Sequence, residues 1–115
     1  MGSPLQKVLR RRGSKERKKV VQFVSEVTGE DIKRERRIAR DLRKSAWWKR
    51  KCADGRCYYC DTKIHPGELT MDHIVPLIRG GRSTKSNIVT ACKECNTRKK
   101  YMLPIEWEEY INGLN

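Results

Sequence analysis

The sequence predicts a small α+β domain in which a basic helix, a short two-stranded segment and a closing helix follow one another. Three observations carry that expectation. Residues 31–53 (DIKRERRIARDLRKSAWWKRKCA) place Ile32, Ala39, Leu42 and Ala46 near one face at helical spacing, with Ile38 and Trp47 widening it and Arg and Lys filling the rest. Two short β-prone runs, LTMDHIV and NIVTAC, lie on either side of a Gly-Gly turn. One Cys-x-x-Cys pair precedes the first run and a second pair begins where the other run ends, so both strands lie between fixed points.

The elements follow in order. Residues 1–20 are polar, basic and weakly patterned, the composition of a flexible or partly helical arm that orders on a partner. VVQFVSEV has enough apolar residues for a short helix or a strand, and its pattern does not choose between them. In the turn TGED, Thr28 or Asp31 can cap a helix, and Glu30 and Asp31 suit its positive end. The expected division is a basic arm over 1–30 and a domain over 31–115, with a basic helix 31–50, a core 57–100 and a closing helix 104–112. Gly55 ends the first helical region. The core should hold a cysteine knuckle, the two strands, and a helix starting near Cys92 or Lys93. Pro104 suits a first helical position, Gly113 a stop, and Ile105, Trp107 and Tyr110 would pack that helix back on the core.

Charge is distributed unevenly. The chain of 115 residues has a formal net charge of +13, of which +12 falls on residues 1–51 and +1 on 52–115. Such an arm suits a polyanion; its plainer reading is a solvated helix that aids solubility. No run is long and apolar enough to span a membrane, and VVQFV is too short for a signal sequence. Location in the cytoplasm is therefore expected, where disulfides are disfavoured. The opening MGSP has the look of an expression remnant.

In that setting, five cysteines point to metal. Cys57-x-x-Cys60 and Cys92-x-x-Cys95 are two knuckles that each aim a pair of thiolates at one centre, and together they complete a tetrahedron around zinc. The long gap between them costs little, because loop closure grows only logarithmically with length. Four thiolates leave no open position, so this Zn2+ would be structural. Cys52 is left over, as a half-buried residue at a helix end. The alternatives are a set of buried free cysteines, or a redox CxxC, which would want one pair and not two.

Between the knuckles lie Asp72 and His73; Asn87 follows, and Asn96 abuts Cys95. Alone, His73 would read as a satisfied core imidazole, Asp72 as a partner of Arg79 or Arg82, and Asn87 as a turn residue. As a set, CxxC…DHIVPLxxGG…N…CxxCN, they resemble the HNH endonuclease family of the four-cysteine type, over Cys57 to Lys100. The resemblance implies a ββα-metal (His-Me finger) fold and residue roles. His73 resembles the general base, Asp72 and Asn96 the metal ligands, and Asn87 the residue that ties down the loop between the strands. Many relatives place His where Asn96 stands, and some have a further ligating His one turn on, where this chain has Lys100. The resulting oxygen-ligand pair suits Mg2+ or Mn2+.

The chemistry of these residue types agrees. Phosphodiester hydrolysis needs a proton acceptor working near neutral pH, a Lewis acid, and positive charge around the developing dianion. Lys99 and Lys100 share a helix face with Asn96 and would bring a cation to the phosphate. Arg79 and Arg82, flanking Gly80-Gly81, and Arg36, Arg40, Arg43 and Lys44 of the basic helix would contact DNA. Adjacent strand residues face opposite ways, so bringing Asp72 and His73 into one cleft requires distortion near Pro76 or a His73 at the strand edge. His65, before Pro66-Gly67, reads as a turn residue. Trp47, Trp48, Tyr58 and Tyr59 would mostly pack in the core, with one Trp left exposed for bases.

The leading expectation is a metal-dependent endonuclease on double-stranded DNA that nicks one strand per site and, by the resemblance, leaves 5′-phosphate and 3′-hydroxyl ends. Pairing as a homodimer, or assembly into a phage packaging or restriction machine in a phage or bacterial setting, would convert nicks into double-strand breaks. The alternatives are a non-catalytic zinc-stabilised nucleic-acid-binding module, which would not need the Asp72, His73 and Asn96 set, and a protein-interaction adaptor without salt-sensitive DNA affinity.

Overall fold

The computed structural model describes residues 26–114, so most of the expected basic arm, including VVQFV, lies outside the described residues. The elements run α1 (Gly29–Arg43), α2 (Ala46–Ala53), β1 (Thr70–His73), β2 (Ile88–Ala91), α3 (Lys93–Lys99) and α4 (Pro104–Gly113), with single 3-10 turns at Pro66–Glu68, Leu77–Arg79 and Lys85–Asn87. This is the expected α+β order: helices, a two-stranded sheet, then helices.

The start of α1 uses both expected caps. Asp31 N–H donates to the Thr28 hydroxyl and Thr28 N–H donates to the Asp31 carboxylate, each at 3.0 Å, which satisfies two free donors of the first turn. The single basic helix expected over 31–50 is instead two. Ser45 breaks it: its hydroxyl donates to Leu42 O at 2.6 Å and accepts from Trp48 N–H, ending α1 and capping α2. The buried face also differs from the expected one. Ala39 and Trp48 enter the core, whereas Ala46 and Ile38, expected on the apolar face, are exposed, and Glu35 is buried in their stead.

β1 and β2 pair antiparallel with Asp72 opposite Val89 and His73 opposite Ile88. Both strands are shorter than their apolar runs, because at Ile74 the chain turns away into the loop 74–87. All four residues of β2 are buried, which explains its continuous apolar texture: α2 and β1 both pack against it. Two four-residue strands are not stable by themselves. The cysteine knuckles supply the missing hold. Cys57, Ala91 and Cys95 form one buried cluster, and Tyr59, Cys92 and Trp107 of α4 pack on it. Among the described residues, no helix is long and apolar enough to cross a membrane.

Candidate active site and metal centre

The two CxxC knuckles converge. The Sγ atoms of Cys57, Cys60, Cys92 and Cys95 all lie within 4.8 Å of one another. A zinc ion with bonds of about 2.3 Å asks for sulfur–sulfur edges of about 3.8 Å, and Cys60 and Cys92 are 3.9 Å apart. Burial, with the neighbouring thiols, pushes the Cys95 thiol well up. At Cys60 burial also pushes upward, but hydrogen bonds from Thr62 and the facing cysteines prevail and bring that thiol down to about 7. Four sulfurs at this spacing cannot all ionise without a cation among them, so the donor set fits structural zinc. Cys52 stands outside the cluster, partly buried on α2, as its spacing implied.

Asp72, His73 and Asn96 line one cleft of about 550 Å3, together with Arg36, Ile32, Leu77 and Lys100. His73 is the last residue of β1, where the chain leaves the strand, which frees the adjacent pair from strict alternation. Asn87 holds the bend. Its Oδ1 accepts from Val75 N–H at 2.9 Å, and its Nδ2 donates to Val75 O and Arg82 O at 3.1 and 2.8 Å. The loop closes tightly at Gly81, where a Cβ would come within 1.8 Å of Val75 O, so no other residue fits.

Each oxygen donor expected at the metal is anchored through one side-chain atom. Asp72 Oδ2 accepts from the Tyr59 hydroxyl and pairs with Lys99 Nζ at 3.1 Å; no hydrogen bond engages its Oδ1 among the described residues. Asn96 Nδ2 donates to Thr70 Oγ1 at 2.9 Å. The Thr70 hydroxyl proton is committed to Ala91 O at 2.8 Å, so Thr70 can only accept from Asn96. That fixes the amide orientation and leaves Asn96 Oδ1 without a hydrogen-bond partner among the described residues. Asp72 and Asn96, both lining the cleft, thus each keep one oxygen that could bind a hard cation.

His73 Nε2 lies 2.9 Å from Ser83 Oγ. Burial pushes the imidazole below its ordinary value, opposed by Asp72 and Glu35 and aided by Lys99 and Arg43. Tyr59 is pushed strongly the other way, first by burial and then by Asp72, so it stays a proton donor to the carboxylate.

Lys99 and Arg79 sit differently from expectation. Lys99 does not project with Lys100 toward a phosphate: it is fully buried, paired with Asp72 and donating to His73 O at 3.0 Å, because α3 packs this face on β1. Arg79 forms a two-pronged ion pair with Glu106 of α4 at 3.0 and 3.2 Å, so its guanidinium ties the loop to the closing helix. Lys100 is exposed on the cleft, with a backbone φ of 48° that side chains rarely adopt. Arg36, Arg40 and Arg43 are exposed along α1 at i, i+4 and i+7, with Lys44 exposed at its C-cap in the same stripe, and Arg82 is exposed beside it. Trp48 is buried, Trp47 half-buried and Tyr58 exposed. His65 caps its turn by accepting from Gly67 N–H at 3.0 Å.

Tyr59, Thr70, Ser83 and Glu35 join the site without a signal in the sequence. Their partners lie 13, 26, 10 and 48 positions away, and no local spacing marks them. Compared with known families, residues 57–109 match the HNH endonuclease model. No curated protein matches the sequence.

Proposed function

With residues 57–109 an HNH-family nuclease domain carrying a four-cysteine cluster, we propose that this protein is an endonuclease of double-stranded DNA using one Mg2+ or Mn2+ and nicking one strand per site. The observation that supports it most is the shared cleft of Asp72, His73 and Asn96, where Asp72 and Asn96 each keep one oxygen without a partner among the described residues and the imidazole is held below its ordinary value.

In this reading, neutral His73 accepts a proton from the water that attacks phosphorus in line. Asp72 Oδ1 and Asn96 Oδ1 would hold the cation, and Thr70, Tyr59 and Lys99 keep those side chains aimed. Bound there, the cation would supply Lewis-acid stabilisation of charge on the phosphoryl and leaving oxygens. Cleavage of the P–O3′ bond leaves a 5′-phosphate and a 3′-oxygen that takes a proton from solvent water to become the 3′-hydroxyl. Arg36 and Lys100 flank the cleft and face the phosphates, and the basic stripe of α1 with the arm over 1–30 grips the backbone. One such site cuts one strand; a homodimer or a larger phage or restriction assembly would be needed for both.

A plasmid-relaxation assay tests the reading. Wild type should convert supercoiled DNA to the nicked form with Mg2+ or Mn2+, and His73→Ala should not. Equal relaxation by both, or none by either with metal present, would remove the enzyme and leave a zinc-stabilised nucleic-acid-binding module.

A further inference from the structure

The imidazole of His73 is held by Ser83, and Ser83 is in turn held by Glu35, which lies outside the segment matching the family. Ser83 Oγ is 2.6 Å from the backbone oxygen of Glu35 in α1, and a carbonyl can only accept, so the hydroxyl proton is committed there. Toward His73 Nε2, 2.9 Å away on its other side, Ser83 can therefore only accept. The same serine's N–H donates to Glu35 Oε1 at 2.6 Å, so α1 holds it by both main chain and side chain. Ser83 and Glu35 are 6% and 5% exposed, which keeps water from competing for these bonds.

We infer that Glu35 and Ser83 are positioning residues that fix His73 as the Nε2–H tautomer and leave Nδ1 as the proton-accepting nitrogen. Helix α1 is on this account part of the active site as well as a basic surface, and the segment 57–109 is incomplete without it. The catalytic consequence rests on the reading of His73 as the base; the proton placement does not. A second tautomer would put an unprotonated Nε2 against an oxygen that has no proton left to give, two lone pairs facing each other. The loop is built to bring Ser83 to this point: Gly80 in a left-handed conformation and the close approach at Gly81 fold it back, and Asn87 fastens Arg82 O just before it.

The chain has two histidines, so heteronuclear NMR of the imidazole nitrogens on the full chain is readable, with His65→Gln as the variant that isolates His73. At a pH where the ring is neutral, His73 should show the Nε2–H tautomer alone. Ser83→Ala should admit Nδ1–H and lower the nicking kcat about 10- to 100-fold with little change in KM for DNA. Ser83→Thr, which keeps the hydroxyl, should restore both. Should Ser83→Ala fail to fold, the wild-type spectrum and Ser83→Thr still decide. A wild-type His73 that is Nδ1–H or mixed overturns the inference, as does a folded Ser83→Ala with its tautomer unchanged. If the tautomer behaves as expected and no DNA is cut, the positioning stands and the endonuclease reading falls.

Discussion

Lys99, with no exposed surface, places its ammonium 3.1 Å from Asp72 Oδ2 and donates to the carbonyl of His73 next door. One buried cation thus sets both the carboxylate and the turn of the strand that bears the imidazole. Removing one partner of such a pair leaves the other charged and unmatched. Lys99→Met should lower unfolding stability by about 3 to 5 kcal/mol in urea titration. The double variant with Asp72→Asn should cost less than the two single changes together. Additive losses would mean the pair is not coupled.

Thr70 offers a sharper test of how the amide is aimed. Thr70→Val keeps the shape but removes the acceptor that pins Asn96 Nδ2. Nicking and Mn2+ affinity should fall about 10- to 100-fold, against a stability loss of only about 1 kcal/mol for the lost hydrogen bonds. Unchanged Mn2+ affinity would show that Asn96 needs no such anchor.

The cysteine cluster predicts a different kind of failure. Because Cys57 and Cys95 are themselves core residues and the sheet is only two short strands, chelation of zinc or Cys92→Ala should unfold the domain, seen as loss of the cooperative melting transition. A folded protein after chelation, merely slower on DNA, would contradict a structural role.

The Arg79–Glu106 pair carries a pH signature. Burial pushes the Glu106 carboxyl up, but Arg79 and the Leu103 N–H prevail, and it ends below its ordinary 4.5. A carboxyl lowered by folding adds stability above its unfolded-state value, and that contribution disappears as pH falls through the lower folded-state value. Glu106→Gln should therefore cost about 0.5 to 1 kcal/mol near neutral pH and nothing in strong acid. A difference that grows on acidification would have the wrong sign.

The stripe on α1 should govern salt dependence. If Arg36, Arg40 and Arg43 each meet one phosphate, replacing all three with Ala should reduce the slope of log affinity against log salt by about 2.7. An unaltered slope would move the DNA surface off this helix.

Much of this architecture was readable in the sequence because it is local. A CxxC turn, a Thr28 cap with Asp31 three residues on, and Pro104 opening a helix each act within one turn of chain. The loop bonds of Asn87 to Val75 were indicated by the family resemblance alone, since the residue by itself reads as a turn asparagine. Ser45 as a helix break carried a local signal, Ser ahead of a new apolar pair, but the apolar spacing across it masked the stop. What lay beyond reach were contacts that only packing creates. Glu35 meets Ser83 across 48 positions and Arg79 meets Glu106 across 27, so a charge that looked free for phosphate is occupied, and a charge that looked like helix surface is buried. Lys99 and Lys100 differ by one position in sequence; packing of α3 on β1 buries the first and leaves the second on the cleft.

Asp72 and Asn96 are expected to share one hard cation beside His73. Crystals soaked in Mn2+ and measured at the manganese absorption edge test it directly. An anomalous peak bonded to Asp72 Oδ1 and Asn96 Oδ1 is the predicted result; manganese bound elsewhere, with those two oxygens turned apart and unliganded, would contradict it.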